Sequence, residues 1–251
     1  NLTNFLVLHS FCFLFVCNDV LAQPALRDGQ SPPSGQDAQV KERVVVRARP
    51  LDSVAASVSV IDEETIEDAN VRTVAELLEY VVGARVLSSG SRGGPATIQL
   101  RGGDPNFVLV LLDGVPLNDP TDVEGGAVNL SSLPTSSVEQ IEVVRGPLSY
   151  FYGSTALSGI VNITTRRGTT EKPQVRASVE GGSSSLVRGD ISVAGMVGGG
   201  DYYLGFDWEQ QAGHVGDDEF QQANFQGSFT VPVRETGTLR LSTRAALSEA
   251  D

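Results

Sequence analysis

Five successive segments in the last third of the chain alternate apolar and polar residues with a period of two. They cover residues 175–180, 187–197, 202–209, 222–231 and 239–247. Because neighbouring side chains of a strand point to opposite faces, each segment predicts a strand with one apolar and one polar face. This series is typical of a transmembrane β-barrel, whose apolar face meets lipid. It is also typical of a soluble β-sandwich, whose apolar face is internal.

The connections between these segments favour the barrel. Residues 198–201 and 234–237 are tight links, whereas residues 212–221 make a longer one. Strands that are joined alternately by tight turns and long loops are typical of a barrel in a membrane, where the two ends of the barrel face different compartments.

The first fifty residues divide into three parts of different composition. Residues 1–22 are almost continuously apolar up to residue 16 and end in small residues, a pattern that predicts a signal peptide. Residues 23–40 are rich in Pro, Gly, Ser and Gln and predict a flexible tether. Residues 41–50 are a short β-prone run with a proline stop. This run is either an ordinary edge strand or a segment that adds a strand to another protein's sheet.

Residues 51–168 predict one compact α+β domain of ordinary size. A capping box of Thr73 and Glu76 precedes apolar residues at helical spacing, and Gly83 ends that helix. Strands are predicted at 97–101, 107–113 and 140–145, and a further strand at 54–61 is predicted to lead into an acidic turn. Residues 108–112 are apolar at every position, so both faces of that strand are predicted to be buried.

Charge and residue counts exclude two classes of function. The 18 basic and 31 acidic residues give a net charge of −13, which argues against a nucleic-acid partner. Beyond residue 22 these 251 residues contain one histidine, His214, and no cysteine. A histidine-based triad or a zinc site with several histidine or cysteine ligands is therefore not expected. The chain is therefore predicted not to be an enzyme. The carboxylates at 113, 119, 122 and 124 are interpreted as turn residues rather than as a catalytic pair.

Four motifs of the α+β domain carry a family resemblance. They are Ile98-Gln99-Leu100-Arg101-Gly102, the run 108–117 around Asp113-Gly114, the run 138–147 ending in Arg145-Gly146-Pro147, and the run 152–163. In order and spacing they resemble the plug domain of TonB-dependent outer-membrane receptors, most closely the vitamin B12 transporter branch. The resemblance implies an α+β plug domain followed by the first antiparallel strands of a transmembrane β-barrel, here residues 169–251.

The same resemblance implies a function and partners. The protein is expected in the outer membrane of a Gram-negative cell, in contact with lipid, and as a monomer when complete. It is expected to take up a scarce nutrient chelate, cobalamin or a ferric siderophore, by active transport. The energy would come from TonB, with ExbB and ExbD acting through it. TonB would bind the segment that looks like a TonB box: Glu42, Arg43, Val44, Val45, Val46, Arg47 and Ala48.

Such receptors have about 22 strands, so five strands cannot close the barrel. We therefore expect this chain, which opens at Asn1 and has its only methionine at Met196, to be an N-terminal fragment that does not transport in this form. Two rivals remain. One is a freestanding periplasmic plug-type binding protein without transport, and the other is an envelope hydrolase on a β-rich scaffold.

The resemblance also assigns site residues. Arg101 and Arg145 would pair with glutamates on the barrel wall and lock the plug, the alternative being plain surface charge. Loops 88–94 and 117–126 would face the substrate, through Ser88, Ser89, Ser91, Arg92, Asn118, Asp119 and Asp122. No cofactor is expected apart from a possible calcium ion at Asp217 and Asp218, which are otherwise part of a solvated acidic loop.

Overall fold

The computed structural model describes residues 13–16, 57–89, 94–119, 121, 125–183, 185–212, 219–233 and 237–250. In chain order the elements are β1 (Phe13–Val16), β2 (Ser57–Ile61), α1 (Glu63–Ala69), α2 (Val74–Leu78), β3 (Ala84–Ser88), β4 (Ala96–Leu100), β5 (Val108–Leu112), β6 (Val115–Pro116), β7 (Val138–Arg145), α3 (Ser149–Tyr152), β8 (Gly159–Thr165), β9 (Gln174–Gly181), β10 (Val187–Val197), β11 (Gly200–Ala212), β12 (Glu219–Val233) and β13 (Gly237–Ala250). Short 3-10 helices cover Pro105–Phe107 and Thr135–Ser137.

Residues 57–165, called the inner domain below, are built on a mixed sheet with the strand order β2-β7-β8-β5-β6. β5 and β8 run parallel, and the other neighbours are antiparallel. β3 and β4 form a separate hairpin. Gly159, at the start of β8, has φ +157°, and a Cβ there would collide with the Val144 carbonyl oxygen of β7. Glycine is therefore required where these two strands meet.

Apolar side chains cover both faces of this sheet. Val108 and Val110 of β5 belong to a large core beneath α1, α2 and the β3–β4 hairpin. Leu109 and Leu111 belong to a second core on the opposite face, beside α3. The prediction that β5 is buried on both sides is confirmed, since these four side chains are at most 7% exposed. A strand in this position is held by packing along its whole length.

Helices α1 and α3 were both missed by the sequence analysis, and α1 is the longer of the two. The acidic turn predicted after β2 is helix α1, which begins where the Asp62 carboxylate accepts a hydrogen bond from the Thr65 amide at 3.0 Å. The helix ends at Asn70, which is left-handed with φ 45°. Its apolar stripe is too short to stand out, because Ile66 is the only residue of the helix that is buried. The predicted helix α2 does form, and its N-cap Thr73 accepts from the Glu76 amide at 3.3 Å.

All five predicted alternating segments are confirmed as strands. β9 to β13 form a continuous antiparallel meander, called the outer sheet below. β1, which lies within the predicted signal peptide, pairs with residues 239–242 of β13. The predicted boundary between residues 168 and 169 falls in the connection between β8 and β9. None of the described helices is long and apolar enough to cross a membrane.

The two faces of the outer sheet differ in polarity and in burial. Tyr203, Asn224, Gln226 and Ser228 face the inner domain and are at most 9% exposed. The side chains on the other face are large, apolar and 40–48% exposed, namely Leu204, Phe206, Phe225 and Phe229. A soluble sandwich would place these apolar residues inside. The arrangement is that of a barrel wall, with a polar inner face and an apolar outer face.

Candidate functional site

The candidate site is the interface between the inner domain and the polar face of the outer sheet. Four arginines at polar strand positions reach across it, Arg176 from β9, Arg188 from β10, and Arg240 and Arg244 from β13. Sequence reasoning did not identify them as functional residues. The available signal was the recurrence of arginine at polar positions of the alternating strands, but no pattern in the sequence shows which partner each arginine meets.

Asp113 is the centre of a largely buried group of contacts. Its φ of 52° and the φ of 84° at Gly114 make the tight turn between β5 and β6. One carboxylate oxygen accepts from the Thr165 hydroxyl at 2.7 Å and from Arg240 Nη2 at 2.9 Å. The other accepts from the Thr165 amide at 3.0 Å, and Arg167 Nη2 lies 3.8 Å from it. Asp113 thus joins the end of β5, the end of β8 and the wall strand β13.

A second group of charges lies along helix α1. Glu63 and Glu67 are one turn apart, so both side chains face the same arginines. Arg176 Nη1 lies 2.6 Å from Glu63 Oε1 and 3.2 Å from Glu67 Oε1. Arg166 contacts both carboxylates as well. Three of the four side chains are 40–58% exposed, so water screens this cluster more than it screens the group around Asp113.

Further polar contacts complete the interface. Arg72, just before α2, places Nη1 2.9 Å from Glu209 Oε1 of β11. Arg188 donates to the Asn70 side chain at 2.8 Å and pairs with Glu180 on the neighbouring wall strand. Arg244 donates to the Ser132 carbonyl. Each of these described contacts across the interface is a charged hydrogen bond in which an arginine guanidinium is the donor.

The predicted lock arginines lie close together. Arg145 is 8% exposed and donates to the hydroxyls of Ser57 and Ser59, both at 2.8 Å, and to the Val82 carbonyl. The Arg101 amide donates to the carbonyl of Gly83, the residue after Val82, at 2.9 Å. Among the described residues neither guanidinium contacts a wall glutamate. The lock stays a prediction, and the contacts found for the Arg145 side chain are internal to the inner domain.

The predicted substrate residues divide into exposed and structural ones. Ser88 and Ser89 are exposed at the tip of the β3–β4 hairpin. Asp119 is also exposed, and hydrogen bonds from Thr121 lower the pKa of its carboxyl group. Asn118 is different. Its amide accepts from the Val110 amide at 2.8 Å and donates to the carbonyls of Val108 and Gly126, so the side chain closes the base of its loop.

Several predicted residues lie outside the part of the chain that the structure describes. They are the TonB-binding residues Glu42, Arg43, Val44, Val45, Val46, Arg47 and Ala48, the loop residues Ser91, Arg92 and Asp122, and the calcium ligands Asp217 and Asp218. Elsewhere, within the described ranges, no group of three or more His, Cys, Asp or Glu side chains could hold a metal ion. Calcium binding and TonB binding by these residues stay predictions.

Sequence comparisons identify relatives of the inner domain. Residues 50–160 match the family model described as TonB-dependent Receptor Plug Domain. The vitamin B12 transporter BtuB of Vibrio vulnificus strain YJ016 is 40% identical over 134 residues, which is 52% of this chain and 21% of the relative. BtuB of Vibrio cholerae strain O395 is 34% identical over 165 residues, 64% of this chain and 26% of the relative. The matches thus span about a quarter of the length of these relatives.

Solved structures share the fold of both parts. The siderophore receptor PirA of Acinetobacter baumannii has a TM-score of 0.60 and 23% identity, covering 77% of this chain and 32% of PirA. The pyoverdine receptor FpvA of P. aeruginosa has a TM-score of 0.65 and 15% identity over 77% of this chain and 25% of its own. The ferric-catecholate import receptor Fiu of E. coli has a TM-score of 0.63 and 22% identity over 81% and 28%. These likenesses concern the fold alone.

Proposed function

Because this chain carries the plug domain of the TonB-dependent receptor family and the first strands of its barrel, we propose that the protein takes up a scarce nutrient chelate across the bacterial outer membrane. The observation that carries the proposal is the polarity of the outer sheet. Its apolar side chains point away from the inner domain and its polar side chains point toward it. Lipid on one side and a hydrated plug on the other satisfy both faces.

Cobalamin is the substrate that we propose first, with a ferric siderophore as the alternative. The sequence relatives include vitamin B12 transporters at 33–40% identity, and this similarity is higher than that of the siderophore receptor PirA at 23%, which shows likeness in fold alone. On the plug, we propose that Ser88, Ser89 and Asp119 contact the ligand, and their exposure supports this proposal. Asn118 would act indirectly, by fixing the base of the 118–126 loop.

We further propose that TonB binds residues 42–48 by adding this segment as a strand to its own sheet. Main-chain hydrogen bonds that are loaded together resist a pulling force, and a run of three valines suits a strand. The pull would reach β2 first, because β2 is the first inner-domain strand after this segment and, among the strands that the structure describes, has β7 as its one neighbour. No bond of the substrate is made or broken in this process.

A freestanding binding protein of the periplasm is a weaker account of the same chain. In water, the exposed face of the outer sheet would present a continuous row of large apolar side chains, which is a feature of membrane and interface surfaces. An envelope hydrolase has no support either, because the relatives found by sequence and by structure are named as transporters and receptors.

The test is uptake of labelled cyanocobalamin by cells that lack their own cobalamin receptor and express the full-length protein. Val45→Pro removes an amide that strand addition needs, and Val45→Ala is the matched control. We expect wild type and Val45→Ala to bind and accumulate cobalamin, and Val45→Pro to bind it without accumulating it. Uptake by Val45→Pro at the wild-type level would contradict the TonB segment. Absence of binding by the wild type would overturn cobalamin as the substrate.

A further inference from the structure

We propose that Asp113 and Arg240 are an anchor that keeps the β5–β8 half of the plug on the barrel wall when the β2 side is pulled. This inference deepens the proposed function and rests on it for the direction of the pull. Asp113 is a positioning residue in this account, because it acts through the strands that it holds.

The first support is the connectivity of the contact. Asp113 ends β5, Thr165 ends β8, and Arg240 belongs to β13. The three side chains form a closed group, in which Arg240 Nη2 lies 2.9 Å from the Asp113 carboxylate and 3.1 Å from the Thr165 hydroxyl. Thr165 is fully buried and immediately precedes the connection that leads into the outer sheet at β9. The Asp113 carboxylate therefore joins the end of β8, where the chain leaves the inner domain, to β13. In the outer sheet β13 is four strands away from β9, the strand that the chain enters next.

The second support is the position of these strands in the inner domain. β5 and β8 are interior strands with a neighbour on each side, whereas β2 lies at the opposite edge of the sheet. A force that enters through residues before Ser57 acts on β2 and its single partner β7. The anchor holds β5 and β8 on the other side of the sheet. The strain therefore falls on the strand pairs between β2 and β8.

The third support is the contrast in burial with the cluster on α1. The Asp113 side chain is 9% exposed and that of Arg240 is 18% exposed, whereas the wall residue of the α1 cluster, Arg176, and its partners Glu63 and Glu67 are 40–58% exposed. The fourth member, Arg166, is 12% exposed, but it directly follows β8 and does not belong to the outer sheet. Exposed pairs are screened by water and salt and separate readily. Loss of one partner of a buried pair leaves a charge without compensation. The α1 cluster can therefore open and close, while the Asp113 contact persists.

The test uses Asp113→Asn in the full-length protein, with Glu63→Gln as the matched control in the exposed cluster. Asparagine tolerates the left-handed backbone at residue 113, so the turn is retained. Its amide oxygen can still accept from Thr165, but its NH2 group cannot accept from Arg240. A second variant, Arg240→Gln, removes the other charge of the pair. It shows whether an effect of Asp113→Asn comes from the lost pair or from a disturbed turn at residue 113.

The reporter is Ser137→Cys, a nearly isosteric change at a site that is 5% exposed and lies beside wall residues Asp190 and Tyr203. Among these 251 residues the only cysteines are Cys12 and Cys17, both in the predicted signal peptide, and any cysteine of the full-length protein outside them is replaced by serine. In cells with active TonB, we expect a membrane-impermeant maleimide to label the reporter roughly tenfold faster in Asp113→Asn than in wild type. Glu63→Gln should change the rate less than twofold.

Purified protein in detergent gives a readout that does not depend on transport. Asp113→Asn and Arg240→Gln should each lower the urea concentration at which the reporter becomes labelled, at both 0.1 M and 1 M NaCl. The double variant should be less affected than the sum of the two, because it leaves no unpaired charge. Equal effects of Asp113→Asn and Glu63→Gln, or strict additivity, would overturn the anchor. Failure of cobalamin uptake by the wild type would instead count against the proposed function. The labelling of the variants in detergent would still test the anchor, because it does not depend on transport.

Discussion

The plug sheet and the outer sheet both consist of β-prone strands with many apolar residues. The plug sheet buries its apolar side chains, whereas the outer sheet exposes most of its apolar side chains and buries mainly polar ones. In the plug, Ile160, Val161 and Ile163 of β8 are fully buried, and packing within the domain holds the sheet together. In the outer sheet, Leu204 and Phe206 of β11 are nearly half exposed, and the buried side chains are mostly ones with polar groups, namely Tyr203, Asn224, Gln226 and Ser228, beside the apolar Phe220. The plug sheet thus carries its own hydrophobic core, whereas the outward apolar face of the outer sheet is left exposed and, under the proposed function, would be covered by lipid.

The largest effect is expected from a charge in the plug core. Val161→Asp places a carboxylate at a fully buried position with no partner, and we expect a loss of more than about 4 kcal/mol in the free energy of unfolding. Protease resistance of the plug in outer-membrane fractions measures this loss. Tyr80→Asp, at a position in the same domain that is 71% exposed, is the control and should remain resistant.

A charge on the outward face of the outer sheet should cost less and should depend on lipid. Leu204→Lys is expected to lower the stability by about 2–4 kcal/mol in bilayer vesicles, because the ammonium group would have to enter the hydrocarbon region. Urea unfolding of the full-length protein in vesicles measures the change, with Leu204→Ala as control. A lysine variant as stable as the alanine variant would mean that this face meets water.

A moderate effect is expected at the edge of the plug sheet. Arg145→Gln removes the charged hydrogen bonds to Ser57 and Ser59, which tie β2 to the end of β7. The expected cost is about 1–3 kcal/mol. Hydrogen exchange should show the loss first in β2, and Ser57→Ala with Ser59→Ala should reproduce most of it. Equal loss of protection in β5 would show that the sheet opens as one unit.

The smallest effect is expected from the cap of helix α1. Hydrogen bonds from Thr65 lower the pKa of the Asp62 carboxyl below its ordinary value of 3.8, so the charged form stabilises the folded state. This contribution is present above pH 3.8 and is lost as the pH falls through the lowered pKa. The urea midpoint of Asp62→Ala should lie below that of wild type at pH 7, and the difference should shrink as the pH falls below 3.8 and through the lowered pKa of Asp62. A difference that is independent of pH would contradict the cap.

The strands of the outer sheet could be predicted from the sequence, whereas most contacts between the plug and the outer sheet could not. A strand period of two is visible wherever one face is apolar, so residues 175–247 could be assigned to strands and to faces. Helix α1 could not, because only Ile66 of its seven residues is buried and its acidic residues resemble a turn. The pairs of Asp113 with Arg240 and of Arg72 with Glu209 join residues more than 100 positions apart. Such pairs depend on the docking of the two sheets, which local patterns do not encode.

If the plug lies on the polar face of a wall whose other face meets lipid, side chains that alternate along β11 must meet different surroundings. Spin labels at single cysteines along β11 of the full-length protein in vesicles test this claim directly. Labels at positions 204 and 206 should collide freely with oxygen, which concentrates in lipid, and little with a polar nickel reagent. Labels at 203 and 207 should be protected from both, because the inner domain covers them. Contact of positions 204 and 206 with the polar reagent would contradict the account.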